Sequence, residues 1–507
     1  MPPGSKSDTS LGAAPKLGWR FKVLYGIGEI TNAVKLVTFG LYSLFFATVV
    51  LRLPGTWIGI VGFLAMLWDA AIDPYIGYLT DGAGAVGRRF RFMMTGTLIM
   101  GFGYWAFFSP PLHLSTGATF AWLLVASLAV RTATSMFTIP YYALGASLTA
   151  DYQERTSITA VRGAAGIVGT LLTASLSFVV FFPDKVRGVD PKTQPSGYAS
   201  MGLAFGVLMT VVALTALLGS LPLRKVLEAR GVASGEAPVA FFRSVAAIVG
   251  NPSYRVILLS FTLVVVALTI NSSMLLHFLK YYAGIASSAA LSSSQGALYT
   301  ASIFGMFFWL RMSGRVEKHH LFVLACGATA FFLVATLVLF GEGRPFGAGS
   351  AIPLVVGYAV AGFVTCIFWF VPQSMMADVV DEDDWRTGQR REGSLFGVVS
   401  FCQQVATGVA VMVAGGLLEH VVRLNPALSR QAPATVAWLG IVYGVVPAFL
   451  FLAAAAIMLR YGLTRSRVAT IQAALVERQS CRATEPSGLA DKVRSGPADE
   501  VIDVRNG

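Results

Sequence analysis

Apolar runs of about 20 residues or more recur along the chain and are separated by short polar segments. A helix of about 20 residues crosses the roughly 30 Å hydrocarbon layer of a bilayer, so each run predicts a membrane-spanning helix. The first six predicted spans, of about twelve, are Phe21–Leu51, Trp57–Thr80, Phe92–Leu112, Ala118–Ala146, Ala160–Phe182 and Met201–Leu221. The second six are Val256–Ala283, Leu291–Leu310, Leu321–Phe340, Ile352–Met376, Leu395–Leu418 and Thr435–Leu459.

The longest internal polar stretch, residues 222–254, divides the predicted spans into two sets. The fourth and tenth spans end in related strings, because aligning Pro140 with Pro372 places Asp151 on Asp383. Weak parallel repeats of this kind are typical of two six-helix bundles related by an axis normal to the membrane. We therefore expect an all-α membrane protein with an N-terminal tail (1–20), two bundles (21–221 and 255–463), a central loop (222–254) and a disordered tail (464–507).

Composition and charge agree with a membrane protein. Of the 507 residues, 55% are hydrophobic and 13% are charged, and the mean hydropathy is +0.67, which is too apolar for a soluble protein. The net charge is +12, but the basic residues lie in short loops on one side of the spans, so no nucleic-acid partner is expected. The positive-inside rule makes that side cytoplasmic. We expect a monomer in the plasma (inner) membrane, with both termini in the cytoplasm.

Sequence motifs for catalysis and nucleotide binding are absent. The chain contains no G-x-x-x-x-G-K-[ST], H-E-x-x-H or G-x-S-x-G string. Its four cysteines have neither the spacing of a metal site nor that of a disulfide framework. We therefore expect no enzyme activity, cofactor or bound metal, and no partners besides a small-molecule substrate and the lipid bilayer.

The second predicted span carries two acidic residues near its middle, Asp69 and Asp73. A charge at this depth costs at least a few kcal/mol, and the i, i+4 spacing puts both carboxylates on one helix face. The pair therefore predicts a binding or coupling site inside the helix bundle. The alternative is that Asp73 only compensates the break in hydrogen bonding that Pro74 makes.

Two basic residues, Lys35 and Arg131, lie at a similar depth in the first and fourth spans. Buried acids and bases at one depth are expected to pair, because an isolated charge there is expensive. The pairs can form a fixed network that holds helices together, or a network whose pairing changes with the bound substrate or ion. On the fourth span Thr138 continues the polar face that Arg131 begins.

Further polar and aromatic residues inside the spans are candidates for substrate binding. Lys280, near the outer end of the seventh span, can instead extend its ammonium group to the interface, and the aromatic residues can simply pack. The candidates are Glu29, Tyr42, Thr138, Asn271, Lys280, Trp369 and Gln404.

The loops on the cytoplasmic side carry opposed charges that predict a gate. A network of such charges in neighbouring loops can hold one conformation and separate in the other. The gate residues are Asp81, Arg88, Arg89, Asp151 and Arg155 in the first half, with Asp383, Arg390 and Arg391 as counterparts in the second half.

Several strings resemble those of the glycoside–pentoside–hexuronide:cation symporters, the melibiose-permease branch of the major facilitator superfamily. They are Tyr25-Gly-Ile-Gly, Trp68-DAAIDP, Gly77-YLTDGAGAVGRRFRF, Ile139-PYYALGASLTADYQERT and Ala377-DVVDEDDWRTGQRREG. The resemblance implies a major-facilitator fold and a secondary transporter that works by alternating access. It also implies that Asp69 and Asp73 are the paired carboxylates for the coupling cation, and that Ser135 is a nearby hydroxyl.

The chain also departs from this family's pattern. Ala33 and Thr138 stand where melibiose permeases have sugar-binding carboxylates, Gln404 matches a common lysine, and Ile72 replaces a polar residue between the aspartates. These changes favour protons over sodium as the coupling ion and put galactosides in doubt. The predicted function is cation (H+ or Na+)-coupled symport of a sugar, glycoside or related polar solute. The alternative is transport of an amphiphile such as a lysophospholipid, or export.

Overall fold

The computed structural model describes residues 18–484 apart from 82–83, 112, 149–151, 185–189, 225–249, 389–390 and 429. All regular secondary structure in this part of the chain is helical. Most of the predicted N-terminal tail and central loop, and the end of the C-terminal tail, lie outside the described residues.

The described residues form twelve long helices that follow one another in sequence before a further C-terminal helix. The first six are α1 (Trp19–Val50), α2 (Gly55–Thr80), α3 (Ala85–Phe108), α4 (Thr116–Ser147), α5 (Tyr152–Phe181) and α6 (Pro195–Ser220). The second six are α7 (Pro252–Tyr282), α8 (Ser288–Ser313), α9 (Lys318–Leu339), α10 (Ala351–Thr387), α11 (Glu392–Gly416, continued by a π-helical segment over Leu417–Val422) and α12 (Pro433–Met458).

Ten of these helices are long and apolar enough to cross a membrane. The other two, α3 and α8, have 24 and 26 residues, but basic residues in α3 and serines in α8 make them more polar. Both pack along spanning helices. Helix α3 packs on α4 and α6, whereas α8 packs on α5 and α10. The prediction of an all-α membrane fold with about twelve long helices is confirmed.

Several helices run beyond the apolar segment that marked them in the sequence. Helix α10 continues eleven residues past the predicted end at Met376, because the charged residues there still form helical turns. Arg386 pairs with Glu382 at 2.8 Å, and Gly388 ends the helix in the left-handed conformation, with φ of 70°. Hydropathy therefore identified the membrane part of the helix and not its full length.

The C-terminal tail also differs from expectation. The tail from residue 464 onward was expected to be disordered, with a helical extension over Ala469–Arg478 as the one exception, but Arg465–Thr484 form a further helix, α13. Its first residue is fixed to the turn between α8 and α9, where the Arg465 backbone N–H bonds to the Glu317 carboxylate at 3.1 Å. Arg478 donates to backbone carbonyls at the end of α10, so both ends of α13 are held.

The two sets of six helices meet through three pairs: α1 with α7, α2 with α11, and α5 with α8. We call the side on which α1 begins and α12 ends the terminus side, and the opposite side the far side. On the far side one buried apolar core runs through both sets, whereas the second set has a separate core towards the terminus side. The two halves are therefore joined on the far side.

Glycines allow α2 and α11 to approach closely near the far side. A Cβ atom at Gly415 would overlap the carbonyl oxygen of Gly55, and one at Gly59 would lie 2.9 Å from the Cα of Met412. Backbones can approach this closely only when the contact carries no side chain, as in other membrane helix pairs rich in small residues. The glycines are thus a condition for closing the far side.

We expect Gly415→Ala to lower the thermal midpoint of the purified protein, because overpacking of such a contact typically costs about 1–3 kcal/mol. Gly416→Ala is the matched control, since a Cβ there meets nothing within 4 Å. Equal midpoints for the two variants would contradict the proposed role of this contact.

Candidate functional site

The centre of the molecule contains a buried ion pair between α2 and α4. A carboxylate oxygen of Asp69 contacts the guanidinium group of Arg131, and the two residues are only 6% and 5% exposed. The charges thus compensate each other in a region where a lone charge would be costly. The other carboxylate oxygen of Asp69, Oδ1, has no hydrogen-bond partner in the described residues.

Asp73 lies one turn along α2 and connects the two halves of the protein. Its Oδ2 accepts a hydrogen bond of 3.0 Å from the Gln404 side-chain amide on α11, and Ser135 on α4 lies beside it. Its Oδ1 is buried without a hydrogen-bond partner among the described residues, as is Oδ1 of Asp69. Two acceptor atoms one turn apart therefore remain available for a proton or a cation.

Lys35 on α1 faces the same group of charges without pairing with any of them. It interacts electrostatically with Asp69, Asp73 and Arg131. The structure gives its ammonium group no hydrogen bond and no ion pair with a described residue. Of the two bases expected to pair with the aspartates, Arg131 therefore does so and Lys35 does not.

A second charged cluster joins α1, α4 and α5 nearer the terminus side. Glu29 accepts a hydrogen bond of 2.9 Å from the Tyr142 hydroxyl and pairs with Arg162 at 3.5 Å. The Arg162 guanidinium lies 4.6 Å from the centre of the Tyr142 ring. Sequence reasoning missed Arg162, although a basic residue two positions inside the predicted fifth span was a usable signal.

Most other substrate-binding candidates make contacts inside one half. The Tyr42 hydroxyl and Ser177 form a buried hydrogen bond of 2.6 Å, and Asn271 donates to the backbone carbonyl of Tyr443 at 3.2 Å. Thr138 donates to a backbone carbonyl one turn earlier on its own helix. Trp369 is half exposed and its ring is 6.3 Å from that of Tyr299.

Lys280 belongs to an ionic cluster that crosses between the halves on the far side. Its ammonium group bonds to Asp190, in the segment before α6, at 3.2 Å. Lys192, from the same segment, donates to the carbonyl of Ala286 at 2.9 Å and to the Ser288 hydroxyl at 3.1 Å. Burial raises the pKa of the Asp190 carboxyl, but Lys280 and Lys192 outweigh burial and hold this pKa below its usual range.

Other hydrogen bonds also join the halves at this level. Thr48 on α1 bonds to the buried His277 on α7 at 2.9 Å, and the Thr56 backbone N–H donates to Glu419 at 2.8 Å. The far side is therefore closed by polar contacts as well as by the shared apolar core.

The predicted gate charges on the terminus side pair within their own halves. Arg89 bonds to Asp81 at 2.7 Å, and Arg88 donates to the Asp81 carbonyl. Arg391 makes two bonds to Asp383, of 2.8 and 3.0 Å. Among the ion pairs given for the described residues, none joins the halves on this side. Asp151, Arg390 and the side chain of Arg155 lie outside the described residues.

We expect Asp69→Asn to lower the thermal midpoint more than Asp73→Asn, because it leaves the buried Arg131 charge without its partner. Breaking a buried pair in this way typically costs about 3–5 kcal/mol. The double variant Asp69→Asn/Arg131→Gln should recover part of the loss. A double variant less stable than Asp69→Asn would show that this pairing is not what stabilises the site.

We expect Asp190→Asn to loosen the far side, since it removes the charge that holds Lys280. The measurement is alkylation of a cysteine introduced at Ala290, which is buried there. Glu342→Gln is the control, because it breaks an exposed pair with Arg430 on the same side but within one half. The contribution of Asp190 should be complete above its unfolded pKa of about 3.9 and be lost as the pH falls through the lower folded value. Alkylation as slow as in the control at neutral pH would contradict this role.

The chain matches a family model described as MFS/sugar transport protein over residues 24–465. Since the match covers most of the chain, the protein belongs to this family of membrane transporters.

Relatives that share about one-fifth of their residues with this chain are named for different transported substrates. They include the isoprimeverose transporter of Lactiplantibacillus pentosus, 21% identical over 79% of this chain and 80% of the relative. The sodium-dependent lysophosphatidylcholine symporter 1 of Gallus gallus is 22% identical, over 81% of this chain and 80% of the relative. A putative 2,3-dihydroxypropane-1-sulfonate exporter of Escherichia coli is 22% identical, over 81% of this chain and 85% of the relative.

Among solved structures, that of the nucleoside transporter NupG has the same fold. It superposes with a TM-score of 0.57 at 17% sequence identity, over 87% of this chain and 99% of that one. The protein is thus an integral membrane transporter with a major-facilitator-type fold.

Proposed function

We propose that the protein is a proton-coupled symporter of a sugar, glycoside or related polar solute. The observation that carries this proposal is the Asp69–Asp73 pair at the junction of the two halves, where Asp69 is buried and Asp73 is half-buried. One buried oxygen of each carboxylate has no hydrogen-bond partner among the described residues. The family description and the isoprimeverose relative support a sugar or sugar-like substrate. No catalytic step is part of the proposal.

The surroundings of the two aspartates favour a proton over sodium. Hard metal cations prefer several oxygen ligands, and Ile72, between the two aspartates, supplies no side-chain oxygen. Arg131 already contacts Asp69, and Lys35 adds a second positive charge nearby. A metal ion would have to enter against both charges, whereas a proton needs only one carboxylate oxygen.

Coupling follows from the contact between Asp73 and Gln404, because these residues belong to different halves. Protonation of Asp73 removes the negative charge that attracts the amide, and so weakens a contact across the site. The two bundles, residues 21–221 and 255–463, then rock against each other and expose the site to one side of the membrane at a time, which is alternating access. On the terminus side, Asp81 and Arg89 of one half meet Asp383 and Arg391 of the other when that side closes.

The orientation follows from the positions of the basic residues. Arg88, Arg89 and Arg391 lie at the terminus side, so the positive-inside rule makes this side cytoplasmic. We place the protein in the inner membrane as a monomer, with both termini in the cytoplasm and the far side facing outward.

A second candidate function is transport of an amphiphile such as a lysophospholipid, or export. The names of the lysophosphatidylcholine and sulfonate relatives support it, since both cover most of the chain. An uptake panel in proteoliposomes separates the candidates when it contains labelled glycosides, sugar acids and lysophospholipids, with gradients imposed in either direction.

We expect wild-type proteoliposomes to accumulate substrate under an imposed pH gradient without sodium, and not under a sodium gradient at fixed pH. Asp73→Asn should abolish this accumulation and retain counterflow, because asparagine can still accept the Gln404 hydrogen bond but does not titrate. Glu342→Gln, which removes an exposed carboxylate, should behave as wild type. Accumulation that follows only the sodium gradient would show that the coupling ion is sodium.

A further inference from the structure

A buried histidine lies where the two halves meet on the far side. His277 on α7 is completely buried, and the centre of its ring lies 5.0 Å from that of Phe45 on α1. Its Nε2 atom is 2.9 Å from the hydroxyl oxygen of Thr48, which is also on α1. His277 therefore loses its α1 partners whenever the halves move apart on this side.

The Thr48 hydroxyl determines which ring nitrogen of His277 carries the proton. This hydroxyl has one hydrogen, and it donates that hydrogen to the carbonyl of Leu44 at 2.8 Å. The Nε2–H of His277 therefore donates to Thr48, and the neutral ring has no proton on Nδ1. The Nδ1 atom is buried without a hydrogen-bond partner among the described residues. A second proton on the ring would go to Nδ1, where the closed far side offers it no acceptor.

The charges around His277 do not compensate a positive charge on its ring. Lys280, one turn along α7, interacts electrostatically with His277 and has the same sign of charge as an imidazolium group. The Asp190 carboxylate is engaged by Lys280 and Lys192. Among the ion pairs given for the described residues, none includes His277. A buried charge without a partner is costly, so the closed far side accommodates the neutral ring.

Other titratable groups on the elements packed against α7 have partners elsewhere or are exposed. Tyr42 bonds to Ser177, and Glu419 bonds to Thr56. The groups of this kind are Arg52 after α1, Tyr42 on α1, Tyr358 on α10, Glu419 and His420 at the end of α11, and Tyr443 on α12, together with Tyr281 and Tyr282 on α7 itself. None of them adds a carboxylate that pairs with His277.

We propose that Nδ1 of His277 is a proton-binding site that controls the far side: the neutral ring lets this side close, and the protonated ring holds it open. Opening separates α1 from α7 here and gives the ring water in place of Thr48. The proton must leave before His277 and Thr48 can be buried together again. This inference goes beyond the proposed function, and only the statement that the proton comes from outside rests on the orientation proposed there.

The expected dependence on pH has a definite sign. A histidine in water takes up a proton near pH 6.5, and the hydrated ring of the open arrangement resembles that state. The ratio of closed to open protein is therefore constant well above this pH and falls below it. One such site lowers the ratio by about tenfold between about pH 7.5 and about pH 5.5. Asp190 stays charged over this interval, because its pKa lies below its usual range.

The test measures the distance between the halves on the far side. Spin labels are attached to cysteines introduced at Ala118 and Arg344, which are exposed on this side of the first and second halves. The full-length background has its four native cysteines replaced by alanine and carries Asp73→Asn, which removes titration of that carboxylate. Lowering the pH from about 7.5 to about 5.5 should shift the population about tenfold from the short to the long distance.

Variants assign this response to His277. His277→Gln keeps a donor for Thr48 but takes up no proton, so we expect the short distance to predominate at both pH values. His420→Gln is the matched control, because His420 also bonds across the halves on this side, to Thr56, but is exposed. This control should respond to pH as the background does. His277→Asn, which also does not titrate, replaces His277→Gln if that variant does not fold.

The proposal is wrong if the background does not respond to pH, if the His277 variant still responds or is open at both pH values, or if His420→Gln abolishes the response. Its failure is distinct from failure of proton coupling, because the distance is read without transport. A pH response that requires His277, together with accumulation driven only by sodium, would keep this site and overturn the proton-coupled symporter. Proton-driven accumulation without that response would do the reverse.

Discussion

A charge in the hydrocarbon layer must be compensated, and the centre of this protein is organised around that requirement. The pair of Asp69 and Arg131 neutralises two such charges and joins α2 to α4. Asp73, one turn away, accepts a hydrogen bond from the Gln404 side-chain amide of the opposite half. This contact therefore depends on how the two halves are arranged. Lys35 interacts electrostatically with these groups and forms no ion pair with a described residue.

The two sides of the membrane are held by different kinds of contact. On the far side the halves share an apolar core, the α2–α11 backbones approach at glycines, and Asp190 pairs with Lys280 across the junction. On the terminus side the pairs of Asp81 with Arg89 and Asp383 with Arg391 stay within single halves. The halves are therefore held together on the far side, whereas these terminus-side pairs do not join them.

The departures from the symporter family pattern change where positive charge lies near the two aspartates. Gln404 stands where a lysine is common, and its amide serves as a neutral donor to Asp73. Positive charge is supplied instead from the first half, by Lys35 and Arg131. The altered placement of charge puts both of these bases in the same half as the two aspartates.

The sequence alone was sufficient for the fold class and for the depth of the central charges. Hydropathy identifies spans because the bilayer imposes a length, and the i, i+4 spacing places Asp69 and Asp73 on one face whatever surrounds them. It also placed Arg131 at a matching depth, although depth does not say which acid a base will contact. The end of α10 beyond its apolar segment was missed because charged turns carry no hydropathy signal.

Only the tertiary structure decided which side chains meet. Gln404 reaches Asp73 across 331 positions of sequence, Lys280 reaches Asp190 across 90, and Arg162 joins Glu29. These contacts depend on which helices are neighbours and on how each is rotated, and neither quantity is encoded in local spacing. The same dependence explains why Lys35 matches the two aspartates in depth but forms an ion pair with neither of them.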